Sequence, residues 1–415
     1  MDILILLALI ANFYLLYFSI FWLITFFENN GRIHEKKKLN RFPLVSIVIP
    51  AHNEEKNIKN AIESCLNLNY PKNKLEVIVV NDGSTDRTVE ICKSYEEKGL
   101  IKLINKERGG KASALNLGLK IAKGEIFACL DADSIYAKDA LIKMLAYFDD
   151  ENVATVTPVI KVKESSNTLE KFQYIEYLIN ALYAKLYSFL NCIYVIPGPG
   201  SLYRKEVLEK LGGFDENSLT EDMEITFRIH KYGFWIKNCF DAIVLTSTPK
   251  SIVNLFKQRL RWNTGFLETL SKHKDVLSRE YGTFGTFLLP SVLIGLVICL
   301  IYLLIILKPF YNYIKSFYHF SKINFDIFPF LGDFKINIDV FSINTLSFIF
   351  FCAFLIYILY FYLATKHQNE FTKNRLKDAV FASIIYTPLL SVFALCSLIN
   401  FVKRRIKREK DAWKK

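Results

Sequence analysis

The stretch Ile126-Phe127-Ala128-Cys129-Leu130-Asp131-Ala132-Asp133-Ser134 decides how the rest of the chain is read. Its first five residues carry only apolar side chains, the pattern of a strand buried on both faces. Two carboxylates one residue apart follow at its carboxyl end. In an open α/β sheet that is the end where ligands bind. Two hard oxygen donors there suit a magnesium or manganese ion that also holds phosphates. Alone, the same Asp-x-Asp reads equally well as a solvated turn after a strand, so its neighbours have to decide.

Upstream, strands and helices alternate. Val45 to Ile49 and Leu75 to Val80 read as strands, and Ile101 to Ile104 as a shorter one. Between the first two, Ile58, Ala61, Ile62, Cys65 and Leu66 form the apolar face of a helix. Further helices are expected from Thr88 and over Ala112 to Ala122. Alternation with short loops implies a mainly parallel sheet covered on both faces by helices. Beyond Val156 the pattern loosens into a long helix over Thr168 to Asn191, a Pro197-Gly198-Pro199-Gly200 loop and a Gly212-Gly213 turn.

The 415 residues are 52% hydrophobic, with a mean hydropathy of +0.21. Four apolar runs stand out: Ile3 to Phe27, Thr286 to Leu307, Ile343 to Ala364 and Ala379 to Val402. Each approaches or exceeds the ~20 residues that cross a bilayer. The first lacks a basic start and a small-residue cleavage site, so a retained anchor is expected over 1–28. The net charge of +12 does not point to nucleic acid, because the cations flank apolar runs. Glu28 to Phe42 holds five Lys/Arg against two Glu, and Lys403 to Lys415 holds eight against two acids. Such flanks belong on the cytosolic side of a cell membrane. The eight cysteines include no close pair with metal-ligand spacing and read as reduced and structural.

The expected layout is a membrane helix over 1–28, a cytosolic α/β domain over 43–270, a membrane region over 271–403 and a basic cytosolic tail over 404–415. Within the membrane region, helices fall near 286–307 and 343–364. A full crossing by 379–402 would put the basic tail outside, against the positive-inside rule. Pro388 interrupts that run, so a re-entrant or interfacial hairpin is expected there, with the tail inside.

Six groups carry chemistry. Pro50-Ala51-His52-Asn53-Glu54-Glu55 ends the first strand, and Asn81-Asp82-Gly83-Ser84-Thr85-Asp86 the second. Gly109-Gly110-Lys111 precedes a helix, Asp131 and Asp133 follow a strand, and Thr220-Glu221-Asp222 opens a later helix. All could face one crevice. Singly, each has a plain reading: Asp86 as a helix cap, Thr220-Glu221-Asp222 as a cap with acidic first-turn residues. Neither a Gly-x-x-x-x-Gly-Lys nor a Gly-x-Gly-x-x-Gly pattern is present, which argues against a nucleotide hydrolase and a nicotinamide enzyme. In Gln258-Arg259-Leu260-Arg261-Trp262, residues 258, 261 and 262 share one helical face. That face suits a sugar and a phosphate, or equally a membrane headgroup layer.

In this order the motifs resemble the inverting family 2 glycosyltransferases of GT-A fold, and the Gln-x-x-Arg-Trp resembles their processive membrane branch. That branch makes cellulose, chitin, hyaluronan and poly-N-acetylglucosamine. Gln173-Tyr174-Ile175-Glu176-Tyr177 and the Asp131-to-Ser134 stretch look closest to poly-β-1,6-N-acetylglucosamine synthases. The resemblance covers about Pro43 to Gly265. It implies a UDP-sugar donor, magnesium or manganese, a polysaccharide or glycolipid acceptor, and accessory membrane subunits as possible partners. It further implies that Pro50, Ala51, Asn53 and Glu54 meet the nucleotide, that Asp82 holds uracil and that Lys111 sits by the phosphates. Asp131 would lie near the donor sugar and ribose, Asp133 on the metal, and Asp222 would be the general base. Arg259 and Arg261 would close over the diphosphate, while Glu221, Gln258 and Trp262 border the acceptor. Transfer of one sugar to a membrane lipid is the alternative, since ceramide glucosyltransferases are similar. A non-enzymatic sugar-nucleotide scaffold is disfavoured by the intact carboxylates.

Overall fold

The computed structural model describes residues 3–163, 165–323 and 345–412. A long helix α1 (Ile3–Asn29) leads into the α/β domain, which begins β1 (Val45–Ala51), α2 (Ile58–Leu66), β2 (Leu75–Asp82), α3 (Thr88–Glu96), β3 (Lys102–Lys106), α4 (Lys111–Ile121) and β4 (Ile126–Cys129). It continues with β5 (Ile135–Tyr136), α5 (Ala140–Leu145), β6 (Val153–Val162), α6 (Thr168–Phe189), β7 (Leu202–Arg204), α7 (Lys205–Lys210), α8 (Glu221–Lys231), β8 (Trp235–Thr246) and α9 (Ile252–Lys272). After α9 come α10 (Leu289–Ile323), α11 (Thr345–His367), α12 (Lys373–Phe381) and α13 (Thr387–Ala412).

The strands form one sheet in the order β3-β2-β1-β4-β7-β6-β8-β5. The first four in that order run parallel; β7 is antiparallel to both β4 and β6. β4 lies between β1 and β7, and Ile126 to Leu130 are buried on both faces, as the unbroken apolar run requires. Register brings the chemistry together. Val48 pairs with Cys129 and Pro50 with Val80, so Asp131 extends β4 level with the end of β1, on the same edge of the sheet as the end of β2. One apolar cluster lies on each side of the sheet, around Ile47, Ile62 and Leu141 and around Val48, Leu115 and Tyr203. A third joins α6, α8 and α9 to the apolar helices through Trp22, Leu186, Phe227, Phe266 and Phe284.

Among the described residues three helices are long and apolar enough to cross a membrane, Leu6–Arg32, Phe284–Ile305 and Lys373–Lys407, with a shorter apolar helix over Phe351–His367. The hairpin expected at Pro388 is not formed. Residues 373–412 run as one helical rod with a π-helical turn at Ala382–Tyr386. Pro388 has no N–H to donate back, and the widened turn just before it absorbs the misfit without ending the helix. The rod lies along the α/β domain. Near its start, Glu370 bonds Lys161 of the domain at 3.1 Å. In its middle Tyr386 donates to Glu176 at 2.7 Å, and towards its end Arg404 pairs with Glu268 of α9 at 2.7 Å. Its outer side exposes Phe381, Ile384, Ile385, Ile399 and Val402.

Candidate active site

Two loops at the carboxyl ends of β1 and β2 are tied together by their own polar side chains. Asn53 sits at φ 55°, in the left-handed region that asparagine tolerates. Its Oδ1 accepts from Thr85 N at 2.8 Å, and its N–H donates to Ser84 Oγ at 3.1 Å. Asp86 accepts from Thr88 N at 3.0 Å and from Glu55 N at 3.1 Å, so it both starts α3 and anchors the β1 loop. The Glu54 N–H donates to Thr88 Oγ1 at 2.8 Å. Pro50 and Ala51 form the last rungs of the β1–β2 ladder beneath.

Asp82 spends its carboxylate on the protein. Oδ1 accepts from Lys106 Nζ at 2.7 Å and Gly109 N at 2.8 Å, and Oδ2 from Gly110 N at 2.8 Å. Burial pushes the carboxyl pKa up, but these donors outweigh it and hold the group below its ordinary range. The expected uracil contact therefore has little capacity left. Asp82 first of all anchors the Gly109-Gly110 loop, where Gly110 takes φ 92° so that α4 can start at Lys111.

Lys111 joins the two halves of the site. Its Nζ lies 2.5 Å from Asp131 Oδ1 and 3.2 Å from Glu221 Oε1. Burial alone would favour a neutral amine; the carboxylates reverse that and hold Lys111 well above its ordinary pKa. Glu221, expected at the acceptor, is buried and turned toward Lys111, whose charge outweighs burial and keeps it ionised. Beside it the half-buried Asp222 is pushed up to about 7 by desolvation and by the charge of Glu221. Its Oδ1 accepts from Met223 N at 2.8 Å, which fixes the carboxylate at the start of α8.

Asp133 is raised by desolvation first and by Asp131 second, and Glu54, raised chiefly by burial, feels both. Three carboxylates thus crowd one edge of the cleft. Lys163, which the sequence did not single out, donates to the Asp133 carbonyl at 2.6 Å and lies within reach of the Asp133 and Glu54 charges. The Pro197-to-Gly200 loop, which the sequence shows only as a connection, also borders the site. A Cβ on Gly198 would meet Lys111 Nζ at 2.6 Å and Asp131 Oδ2 at 3.5 Å, so the loop lies directly against both side chains. Its signal was two prolines and two glycines in four residues.

Helix α9 divides its motif between two sides. Arg261 reaches the Leu219 carbonyl at 3.5 Å, and its charge acts on Glu221 and Asp222. Gln258 holds a buried Oε1 without a hydrogen-bond partner among the described residues. Arg259 faces away. It is buried, donates to Glu176 at 2.8 Å and to Tyr386 at 3.4 Å, and lies 4.5 Å over the Trp262 ring. The expectation that Arg259 closes over a diphosphate fails on this geometry; it supports Trp262 from behind.

Residues 46–212 match the glycosyl transferase family 2 model. A poly-β-1,6-N-acetyl-D-glucosamine synthase of Staphylococcus epidermidis is 28% identical over 97% of this chain and 95% of its own length. A β-monoglucosyldiacylglycerol synthase of Nostoc is 31% identical over 62% of this chain and 56% of its own length. Among solved structures, a mannosyltransferase of Pyrobaculum calidifontis in complex with GDP-Man and Mn2+ superimposes with a TM-score of 0.55 at 19% identity, covering 92% of this chain and 97% of that one. The sheet order, the carboxylate-rich cleft at the strand ends and the sequence match agree: the chain is a glycosyltransferase that carries a family 2 domain on a GT-A fold.

Proposed function

We propose that this enzyme transfers N-acetylglucosamine from a UDP donor, with inversion, to a growing β-linked polysaccharide. The observation that carries the reading is the placement of Asp222, a carboxylate raised toward neutrality and held beside the Lys111–Asp131–Glu221 cluster. A base with that property takes the acceptor hydroxyl proton as the new glycosidic bond forms. On the other side of the anomeric carbon the bond to UDP breaks, and the leaving diphosphate takes the electron pair. In this reading the charges of Lys111 and Arg261 help to offset it. A single displacement turns an α-linked donor into a β-linkage.

Asp133 suits a divalent ion. Its carboxylate crowds against Asp131 and Glu54, an excess of hard, negative oxygen that a cation relieves. Among the described residues no three His, Cys, Asp or Glu side chains converge as a metal cage. Asp133 would hold magnesium or manganese, which would supply Lewis-acid stabilisation of the leaving group. Trp262 offers an apolar ring for the acceptor sugar, and Arg259 and Glu176 keep that ring in place.

The near full-length similarity to a poly-N-acetylglucosamine synthase supports a polymer product. The apolar helices support a multi-pass cell-membrane enzyme, and the basic flanks around Lys36 and Lys403 support a catalytic domain in the cytosol. Contacts at both ends of the 373–412 rod support a basic tail on the catalytic side. The similarity to a diacylglycerol glucosyltransferase favours a second reading, transfer of one sugar to a membrane lipid. Membranes holding the protein, incubated with a panel of UDP-sugars plus magnesium or manganese, decide between them by UDP release and product mass. Polymer from UDP-N-acetylglucosamine is expected. A single glycolipid species with no polymer would overturn the first reading.

A further inference from the structure

Gly265 lies on α9 three residues beyond Trp262, where that helix meets the start of α8. A Cβ on Gly265 would lie 2.4 Å from Thr220 Oγ1 and 2.6 Å from its Cγ2. Thr220 occupies the N-cap position of α8, yet its side chain makes no capping hydrogen bond, and its buried Oγ1 has no hydrogen-bond partner among the described residues. The plain reading of Thr220 as a helix cap is thereby excluded, and the residue needs another explanation. The opposite side of α9 is held at the neighbouring position. Thr264 Oγ1 accepts from Asn400 Nδ2 at 3.1 Å and donates to the Ser397 carbonyl at 3.5 Å, both on α13. One turn further, Arg404 pairs with Glu268 at 2.7 Å. The helix carrying Gln258, Arg261 and Trp262 is thus wedged between Thr220 in front and α13 behind.

We propose that Thr220 and Gly265 are positioning residues, a steric seat that fixes the gap between the helix bearing Asp222 and the helix bearing Trp262. The inference rests on the reading of Asp222 as the base. Thr220 supplies bulk and not a hydrogen bond; Gly265 supplies the matching hollow. Ordinary contact begins at 3.4 Å. A methyl group on Gly265 would therefore drive the two helices apart by about 1 Å, a displacement that can cost ~100-fold in rate even when it arises away from the reacting atoms.

The test uses the full chain in lipid nanodiscs and reads kcat, donor KM, UDP affinity and Tm. Gly265→Ala should lower kcat by about 100-fold and leave UDP affinity within about threefold, a split that a general loss of folding would not produce. Thr220→Ala removes the bulk that sets the gap but no hydrogen bond and forces nothing apart, so it should lower kcat by no more than about tenfold, well short of Gly265→Ala. The Gly265→Ala/Thr220→Ala pair should recover at least about tenfold over Gly265→Ala, a coupling between touching sites. Thr220→Ala losing as much as Gly265→Ala, or a pair no better than Gly265→Ala, would overturn the seat. If Gly265→Ala alone fails to bind UDP, recovery of both binding and turnover in the pair supports the seat, and failure to recover refutes it. An unaltered protein that transfers no sugar would strike at the functional reading instead. The seat would still stand or fall on whether Thr220→Ala reverses the Tm loss of Gly265→Ala.

Discussion

Replacing Arg259 by methionine separates two accounts of the Gln258-to-Trp262 motif. If Arg259 grips the diphosphate, the loss is in donor binding. If it is an internal brace, the loss is in stability. The guanidinium has a side-chain exposure of 9% and its partner Glu176 18%, at 2.8 Å. Removing one member of such a pair strands the other, at a cost of roughly 3–5 kcal/mol, against about 0–1 kcal/mol for an exposed pair. The partial exposure of Glu176 favours the lower end, about 3 kcal/mol. For a folded unit of this size that corresponds to a Tm lower by about 6–12 °C. The assay is thermal unfolding of the detergent-solubilised protein beside steady-state kinetics in the donor. Arg259→Met should drop Tm by that amount while donor KM moves less than about threefold; Arg261→Met should do the reverse. Combining Arg259→Met with Glu176→Gln should cost less than the two single changes added, because the stranded charge is gone. Unchanged Tm with a KM raised ~100-fold in Arg259→Met would refute the brace.

Asp222→Asn should retain UDP binding but lose ~10²–10⁴-fold in transfer; near-normal turnover would remove it as the base. In the unaltered enzyme the base works as the carboxylate. With Asp222 pushed up to about 7, kcat/KM should fall about tenfold per pH unit below that value and level off above it. Asp133→Asn should abolish stimulation by added magnesium or manganese, measured as UDP release across a metal titration. Trp262→Ala should hurt acceptor elongation more than donor hydrolysis, read by comparing polymer mass with free sugar; equal loss of both would mean the ring only holds the helix. Lys407→Cys, treated with a membrane-impermeant maleimide, should label only after the cells are broken; labelling of intact cells would place the end of the 373–412 rod outside.

The parallel half of the sheet was legible because each of its strands shows itself locally. Ile126 to Leu130 can only be a two-sided buried strand, and the loops after β1 and β2 advertise their turns. The far half was not legible. β7 has three residues and β5 two, and their places come from pairing with segments far away in the chain. The carboxylates that stand at strand ends fell where the alternation placed them. Residues whose roles are set by distant partners did not. Arg259 looks like any clamp arginine until Glu176 and Tyr386, 83 and 127 residues away, are seen to occupy it. Helical geometry alone already separated it from the Gln258–Arg261–Trp262 face; the family resemblance grouped it back. Asp82 is similar, since nothing local shows that Gly109 and Gly110 would consume its oxygens. Pro388 announced a break because proline usually makes one, and only the surrounding packing turned it into a π-helical turn.

The docking of α13 along α9 also bears on how the protein is born. Phe256 meets Phe393 with ring centroids 5.1 Å apart, and Thr264, Ser397 and Asn400 close the seam beyond it. More than a hundred residues of translation separate the two strips, so while the ribosome is still reading the intervening message α9 has an uncovered flank. During that interval α9 stays without its backing until residues near Arg404 have left the exit tunnel. A messenger cut short before that point would yield a chain in which the apolar flank of α9 around Leu255 and Phe256 is uncovered.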